Sequence, residues 1–379
     1  MKTRYVRPED NDELIALSKM VPMEGDIKVC MDRSPDFFSF YNQYGPDQST
    51  VDPSDIDRMS EPGWVAICAE DEGKIVGYFV FGAKLLRYEG EIVRAVFPSD
   101  ARVHPDYQHK GVIKQLGADL IKDWGIVPGD VILGYIIRGN VRAEKGFQEG
   151  VKLVKGIPAG EFSMIQASMY RPYRNAKIAI ERATEEDIPE IIDLLAEFYA
   201  DYHFSPIFDR ENWDRMMSVA IGYDVNDIRI VRENNKIQAL VGLWDQRQIR
   251  RVVATEFRGA IKWGIRLAKM IHTFMQSPPP PVAGQPQYSM YIKHIAHRPG
   301  KLDLLVAMMK NVINEVRIGA QHNYIWGAFY QSDPLLAIWD QVNITVVRSG
   351  QYYVPWNTGW SKTPHEIESK PCFADFSTV

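Results

Sequence analysis

The sequence predicts an α/β protein in which one arrangement of strand, helix and hairpin occurs twice. The first repeated signal is a short strand that leads into a helix, at residues 3–20 and again at residues 178–195. The second repeated signal is a β-hairpin, at residues 64–83 and again at residues 228–244. Because a repeat of this length indicates that a whole domain is duplicated, we expect two copies of one domain.

Local signals support each of these elements. Both helices begin with an acidic turn, at Pro8–Asp10 in the first copy and at Thr184–Asp187 in the second, which suits the positive end of a helix dipole. Thr184 and Asp187 also have the spacing of a capping box. The hairpins turn at Asp71-Glu-Gly73 and at Asn234-Asn235, residue types that favour tight turns.

Length and composition agree with two soluble globular domains. The chain has 379 residues, which is too long for one hydrophobic core. We therefore expect an N-terminal domain at residues 1–174 and a C-terminal domain at residues 175–379. Apolar residues make up 45% of the chain and charged residues 25%, as in ordinary globular proteins.

Charge, cysteines and hydropathy limit the partners and the compartment. The net charge of −5 argues against a nucleic-acid partner, which would require a basic surface. No apolar run approaches the length of a membrane span, so we expect no membrane partner. The three cysteines, Cys30, Cys68 and Cys372, have no metal-ligand spacing and indicate reduced thiols in a cytoplasmic protein.

The most informative stretch is a strand, a glycine turn and a helix at residues 100–124. Gly111 stands in the turn, where glycine permits a positive φ and close approach of a ligand to the backbone. Apolar residues then recur at helical spacing, at Ile113, Leu116 and Leu120. A helix that begins after such a turn directs unpaired N–H groups and its positive dipole end toward the turn. The stretch therefore predicts a site for a pyrophosphate.

This stretch resembles the acyl-CoA-binding motif of the GNAT superfamily of N-acyltransferases. Four features match that motif: Val103-His-Pro105, Tyr107, Gln108 and Gly111. Ile113 departs from it, because the family usually has glycine or alanine there. The resemblance implies that each domain is a mixed, mostly antiparallel sheet flanked by helices. It also implies acetyl-CoA as the cosubstrate and no metal ion.

The resemblance also assigns residues to the cosubstrate. The strand backbone at Ala101, Arg102 and Val103 would hold the pantetheine and supply an oxyanion donor. The turn and the first helical residues would hold the pyrophosphate, at Gln108, His109, Lys110, Gly111, Val112 and Ile113. Asn140, in an Asn-x-x-Ala pattern, would lie near the pantetheine, and a plain helix cap is the alternative for this residue.

Acyl transfer to an amine needs a base for the ammonium group and a proton source for the leaving thiolate. Asp100 is the first candidate for the base, because many strands of this family carry a carboxylate three residues before the Val103 position. An ordinary structural carboxylate is the alternative for Asp100. Glu91 and His104 are weaker candidates for the base, and water can relay the proton. Phe147 replaces the tyrosine that usually serves as the acid. The remaining candidates for the acid are water and three tyrosines, Tyr107, Tyr135 and Tyr170. The alternative is that no acid is needed, since the CoA thiolate leaves readily.

Three further segments bear on the site. Residues 131–136 form an unbroken apolar run after the motif, which predicts one buried strand in a central position of the sheet. In the first copy, Ser34-Pro35 predicts the start of a short helix in a segment that either recognises the substrate or is a solvated loop. In the second copy, the strand at residues 291–297 leads to a shorter turn without the glycine spacing, so we expect this degenerate copy not to bind CoA. We expect His294 and His297 on that strand to pack in a core or cleft rather than to bind a metal ion.

Together these patterns predict an N-acetyltransferase that moves the acetyl group of acetyl-CoA to an amine by direct attack in a ternary complex. The acceptor would be a small molecule or a peptide. A non-catalytic acyl-CoA-binding or regulatory protein is the alternative, favoured by Phe147 and by the degenerate second copy. An aminoacyl-tRNA-dependent transferase is a third hypothesis, and it requires a basic surface that the net charge does not indicate. A homodimer is an open alternative to a monomer.

Overall fold

The computed structural model describes the chain in thirteen segments: residues 1–23, 27–52, 55, 61–124, 130–137, 156–169, 172–174, 176–275, 277–342, 345–355, 364–367, 369–375 and 377. The chain divides by contact into two compact units. The first unit takes in Met1–Met23, Cys30–Phe162 and Gly350–Lys370, and the second takes in Glu24–Val29, Ser163–Ser349 and Pro371–Val379. The predicted division into residues 1–174 and 175–379 stays a prediction about domains.

The strands and helices are numbered along the chain. The first unit contains β1 (Lys2–Tyr5), α1 (Asn11–Met20), β3 (Gly63–Asp71), β4 (Lys74–Tyr88), β5 (Glu91–Val103), α2 (Val112–Trp124), β6 (Val131–Ile132), β7 (Gly134–Ile137) and α8 (Pro364–Ile367). The second unit contains β9 (Glu181–Arg182), α3 (Ile188–Phe198), β10 (Ser205–Pro206), α4 (Arg210–Val219), β11 (Ile228–Glu233), β12 (Lys236–Asp245), β13 (Arg251–Phe257), α5 (Gly259–Ile271), β14 (Pro286–Gln287), β15 (Ser289–His297), α6 (Leu302–Gly319), β16 (Tyr324–Tyr330) and α7 (Leu336–Gln341). Three strands have residues in both units: β2 (Ile27–Asp32), β8 (Gly156–Ser168) and β17 (Thr345–Pro355).

The sheet of the first unit has the strand order β1-β3-β4-β5-β6. Neighbouring strands are antiparallel, apart from the parallel pair β5–β6. Helix α2 buries Leu116, Leu120 and Trp124 in the hydrophobic core of this unit, together with Val65 and Ile67 of β3. The three helix residues recur at intervals of four, which is the spacing of one helix face, so burying this face stabilises the helix against the sheet.

The sheet of the second unit repeats this order with β9-β11-β12-β15-β16. Here too the neighbours are antiparallel except for the last pair, β15–β16, which is parallel. Helix α6 buries Leu305, Met308, Met309 and Val312 in its core. Each unit is thus a mixed, mostly antiparallel sheet flanked by helices, and the predicted fold class is confirmed.

The predicted helix at Ser34-Pro35 is wrong. Residues 33–40 are irregular, and a single 3-10 turn follows at Tyr41–Tyr44. Side chains satisfy backbone amides that a helix would have used: the Phe37 N–H donates to Asn11 Oδ1 at 2.9 Å, and the Phe38 N–H donates to Asp36 Oδ1 at 3.0 Å. Asp36 is a local side-chain acceptor of the kind that competes with helix formation, whereas Asn11 lies on α1.

A glycine on β4 allows this irregular segment to lie close to the sheet. A Cβ atom at Gly82 would be 2.4 Å from the ring of Tyr44, so only glycine fits beneath this ring without displacement.

Among the described residues, no helix has the length and apolar character that crossing a bilayer requires.

Candidate functional site

The candidate site begins where strand β5 is no longer paired with β6. The parallel pairing of β5 with β6 is limited to Ala95↔Val131 and Val96↔Ile132, and the Leu133 N–H donates to the Val96 carbonyl at 2.8 Å. On its other edge, β5 stays paired with β4 as far as Val103. Among the described strands, none pairs with the open edge of β5 beyond Val96, so this edge can bind an extended ligand.

The predicted single strand at residues 131–136 is in fact two strands, separated at Leu133. The second of them, β7, pairs with Gly350–Tyr353 of β17 instead of β5. A bulge at Ser99 also interrupts the pairing of β5 with β4, because Phe81 pairs with Pro98 and Val80 with Asp100. Bulges redirect side chains and are frequent beside functional sites.

The turn after β5 has the geometry that was predicted for an anion site. His109 and Gly111 both have positive φ, 66° and 76°, and α2 begins at the next residue, Val112. A Cβ at Gly111 would have no atom within 4 Å, so the space beside this backbone is open. The first amides of a helix have no intrahelical acceptor and carry the positive end of the dipole. The backbone of this turn therefore fits a pyrophosphate, and the most direct donors are the amides of Val112 and Ile113.

Two contacts hold this turn in place. The Tyr107 hydroxyl donates to Asp71 Oδ2 at 2.8 Å, which ties the turn to the hairpin between β3 and β4. Lys110 Nζ lies 4.4 Å from the centre of the Tyr107 ring, within the range of a cation–π contact. Lys110 is exposed, and its ammonium group lies at the surface of the turn.

Asp100 lies in a buried set of polar side chains that we call the Asp100 cluster: Asp100, Arg33, Arg102, Tyr41 and Tyr78. Arg102 Nη1 is 2.8 Å from Asp100 Oδ1, and Arg33 Nη2 is 3.0 Å from Asp100 Oδ2. The hydroxyls of Tyr41 and Tyr78 donate to the same Oδ2 at 3.1 and 3.4 Å. The side chains of Asp100 and Arg33 are only 5% exposed, so the carboxylate depends on these donors instead of water.

The cluster determines the charge state of each member. Burial alone would raise the pKa of Asp100, but the guanidinium groups of Arg102 and Arg33 outweigh it and lower this pKa below its ordinary value. Burial raises the pKa of the Tyr41 and Tyr78 hydroxyls, which therefore remain protonated donors. A carboxylate with a lowered pKa is a weak proton acceptor, and the role of Asp100 as general base stays a prediction.

The cluster contains two guanidinium groups and one carboxylate, so one positive charge is not balanced within it. Two nitrogens of Arg33, Nε and Nη1, are buried and have no hydrogen-bond partner among the described residues. The guanidinium lies over the rings of Phe40 and Tyr41 at 4.1 and 4.9 Å. The Asp100 cluster, as defined by its five residues, therefore has a net positive charge.

The other predicted site residues are distributed along the strand and beyond it. Ala101, Arg102 and Val103 lie on the part of β5 that has separated from β6, next to the turn. Glu91 is exposed at the opposite end of β5, and His104 Nδ1 accepts from the Asp106 N–H at 3.3 Å. Three residues of interest, Asn140, Phe147 and Tyr170, lie outside the described residues.

Of the two candidate tyrosines for the acid that the structure describes, Tyr135 lies nearer than Tyr107 to the point where the strands separate. Its ring stacks on that of Phe97 with centroids 6.2 Å apart and planes 8° apart, and it meets Phe162 edge-on at 5.6 Å. Tyr107 instead donates its hydroxyl proton to Asp71, and this hydrogen bond raises its pKa. The role of either tyrosine as the acid stays a prediction.

The corresponding strand of the second unit also separates from its neighbour, but its surroundings differ. β15 pairs with β16 only from Ser289 to Tyr291. Beyond that point the Tyr199 hydroxyl donates to the Ile295 carbonyl at 2.7 Å. His294 is buried, hydrogen-bonded to the Tyr223 hydroxyl at 2.7 Å and stacked on Trp213 at 5.3 Å. Burial lowers the pKa of His294 to about 3, which keeps the imidazole neutral.

Sequence reasoning missed the partners of Asp100. Arg33 is separated from it by 67 positions, Tyr41 by 59 and Tyr78 by 22. A signal was available for one of them, because an arginine just before the aromatic run Phe37–Tyr41 can stack on these rings. Nothing in the local pattern of β4 distinguishes Tyr78 from an ordinary core residue.

Comparison with known proteins shows the fold. No protein-family model matches the chain, and no curated protein matches it. Among solved structures, Saccharomyces cerevisiae N-myristoyltransferase with bound myristoyl-CoA has a TM-score of 0.58 and 11% identity, covering 98% of this chain and 84% of that one. A GCN5-related N-acetyltransferase from Sphaerobacter thermophilus has a TM-score of 0.53 and 12% identity, covering 100% and 98%.

A third similar structure belongs to a longer protein. The fungal multi-domain GH3 β-N-acetylglucosaminidase contains a GCN5-related glucosamine N-acetyltransferase region, and the match has a TM-score of 0.57 and 13% identity. It covers 93% of this chain and 38% of that one. At such low identities these likenesses show the fold alone. The chain has the GNAT fold, as the resemblance at Val103–Gly111 implied.

Proposed function

We propose that this protein is an acyl-CoA-dependent N-acyltransferase, and that it transfers the acetyl group of acetyl-CoA to an amine. The observation that carries the proposal is the course of β5, which separates from β6 after Val96 and runs into the open turn at Gly111. An open strand edge followed by free helix amides suits an extended pantetheine arm that ends in a pyrophosphate. The three similar structures, all named as acyl- or acetyltransferases, support this proposal.

Each part of the site would have one task. Acetyl-CoA would supply the acetyl group as a thioester. The amides of Val112 and Ile113 would bind the pyrophosphate, while the backbone of Ala101–Val103 would bind the pantetheine and the carbonyl oxygen. Asp100 stays the first candidate for the base, and its lowered pKa predicts that it holds the proton only transiently before solvent takes it. Tyr135 or water would protonate the leaving thiolate.

Binding of the cosubstrate can be tested at Gly111. Gly111→Val places a branched side chain where the pyrophosphate would lie. We expect calorimetry with acetyl-CoA to show one site per chain, and the variant to bind at least tenfold more weakly, about 1.4 kcal/mol. Gly90→Val is the matched control, because Gly90 also has a positive φ and no atom within 4 Å of its Cβ position. Two sites per chain, or equal affinities in both variants, would refute the assigned site.

A non-catalytic acyl-CoA-binding protein is the second candidate. The observation that favours it is the state of Asp100, which has four donors around its carboxylate and a lowered pKa. Release of free CoA from acetyl-CoA, measured against a panel of amines, separates the two functions. The panel should include amines that carry a carboxylate, since the Asp100 cluster has an excess positive charge. Binding of acetyl-CoA without acceptor-dependent release would favour the second candidate.

A further inference from the structure

Helix α5 of the second unit has an exposed apolar surface. None of its residues is buried, and only one side of it, at Ile261, Ile265 and Ala268, is even half-buried. Its outer side and the turn that follows expose five large apolar side chains. They are 40–96% exposed: Trp263 68%, Leu267 55%, Met270 73%, Ile271 40% and Phe274 96%.

These five side chains form one strip. Trp263, Leu267, Ile271 and Phe274 follow one another at intervals of four, four and three residues, which is the spacing of a single helix face. We call this set, with Met270, the α5 strip. Single exposed apolar residues are normal on a protein surface, whereas a continuous strip of them marks a surface that binds something.

A row of positive charges runs beside the α5 strip. Lys262, Arg266 and Lys269 are all exposed and repeat at intervals of four and three residues, so they lie on one adjoining face. None of the three forms an ion pair with a described residue. Arg266 lies over the Trp263 ring at 4.8 Å, which joins the two rows. From Phe257 to Lys301 the chain contains no Asp or Glu, although 49 of its 379 residues are acidic.

We propose that the α5 strip and its basic row bind the surface of an anionic membrane. Large apolar side chains beside Lys and Arg are the features of a helix that lies in the plane of a bilayer interface. The apolar strip would enter the boundary between headgroups and acyl chains. The long basic side chains would reach the lipid phosphates from the edge of the strip. The lack of acidic residues in the segment removes the repulsion that an anionic surface would otherwise exert.

This inference departs from the expectation that the protein has no membrane partner. That expectation rests on the missing membrane span and on the net charge of −5, which is an average over the whole chain. A helix lying on a bilayer needs no long apolar run, and its charge is local. Neither observation bears on α5.

Sedimentation of the 379-residue chain with lipid vesicles tests the proposal. Vesicles of phosphatidylcholine alone are compared with vesicles containing phosphatidylserine at low and high salt. We expect binding to the anionic vesicles to be at least about tenfold stronger, and to weaken as salt screens the charges. Trp263→Ser with Phe274→Ser should abolish binding, and Lys262→Gln with Arg266→Gln and Lys269→Gln should remove the preference for anionic lipid.

Matched controls separate the α5 strip from exposed residues in general. Ile318→Ser removes an apolar side chain that is 75% exposed on α6, and Lys236→Gln removes an exposed charge at the start of β12. Both should bind vesicles like the parent protein. All variants should keep the parent's thermal midpoint, since no α5 side chain is buried. Equal binding to neutral and anionic vesicles would overturn the proposal. A second result would also overturn the proposal: the parent protein does not bind vesicles but self-associates, and the Trp263→Ser and Phe274→Ser changes abolish the self-association. The α5 strip would then bind a second copy of the chain.

Discussion

Replacing Asp100 by asparagine removes the only negative charge in the Asp100 cluster while keeping the shape of the side chain. Arg33 and Arg102 would then be two guanidinium groups without a carboxylate, with side chains only 5% and 14% exposed. Both arginines stay protonated even without their carboxylate partner, because the pKa of arginine lies far above neutral pH. The two charges would therefore remain in the folded protein, facing one another.

The cost can be estimated from this burial. Removing one partner of a buried ion pair costs about 3–5 kcal/mol, because the remaining charge stays desolvated and unpaired. Proteins are stable by only about 5–15 kcal/mol, so this loss is a large fraction of the total. For a unit of this size, we expect a fall in the thermal midpoint of about 10 °C. Asp106→Asn is the control, because Asp106 is 82% exposed, and its loss should change the free energy of unfolding by less than about 0.5 kcal/mol.

Urea unfolding of four proteins provides the assay: the parent, Asp100→Asn, Arg33→Met and the double variant. Because removing Arg33 removes part of the repulsion, the double variant should lose at least about 1 kcal/mol less than the sum of the single losses. The lowered pKa of Asp100 stabilises the folded state above the unfolded pKa, and this contribution disappears as pH falls through the folded pKa. The deficit of Asp100→Asn should thus be constant from pH 5 to 8 and shrink only below about pH 4. Additive losses, or a deficit that disappears near pH 6, would refute the reasoning.

Further predictions concern the stability of each unit. Burial raises the pKa of Asp333, which accepts from the Tyr202 hydroxyl, to about 7, so folding is favoured at low pH and this advantage is lost as pH rises from about 4 to 7. Asp333→Asn should therefore stabilise the protein by up to about 4 kcal/mol at pH 8 and by much less at pH 4, and equal effects at the two values would contradict this. Gly82→Ala should cost about 1–3 kcal/mol, because its Cβ would overlap the Tyr44 ring. Gly264→Ala on α5, where nothing lies within 4 Å, should instead raise the free energy of unfolding by about 0.5–1 kcal/mol, and denaturant titration of both variants checks the opposite signs.

The turn at Gly111 shows why part of the site could be predicted. A positive φ, a helix start and an apolar helix face all depend on residues within a few positions of one another, and each leaves a pattern in the sequence. The short helix expected at Ser34-Pro35 shows the limit of such patterns. There, Asn11 accepts from the Phe37 amide, and this acceptor lies on a different element of the first unit.

Asp100 shows a second kind of limit. Its place on the strand before the turn could be recognised, but its chemical state could not. Two arginines and two tyrosines determine that state, and most of them lie tens of residues away. The pattern that marks a carboxylate as a candidate base is the same whether the carboxylate is solvated or is held by buried cations.

Short-range propensities and periodicity in the sequence specify the repeated elements and the position of the phosphate-type turn, whereas the mixed sheet was expected from the resemblance at Val103–Gly111. Only the folded structure shows that the predicted strand at residues 131–136 breaks at Leu133, since β7 pairs with Gly350–Tyr353, more than two hundred residues away. It also decided that Asp100 is surrounded by cations and that α5 exposes its apolar side. All three features depend on which distant segments come together: the partner of a strand, the electrostatic environment of a carboxylate and the exposure of a helix face. No single segment of the chain contains that information.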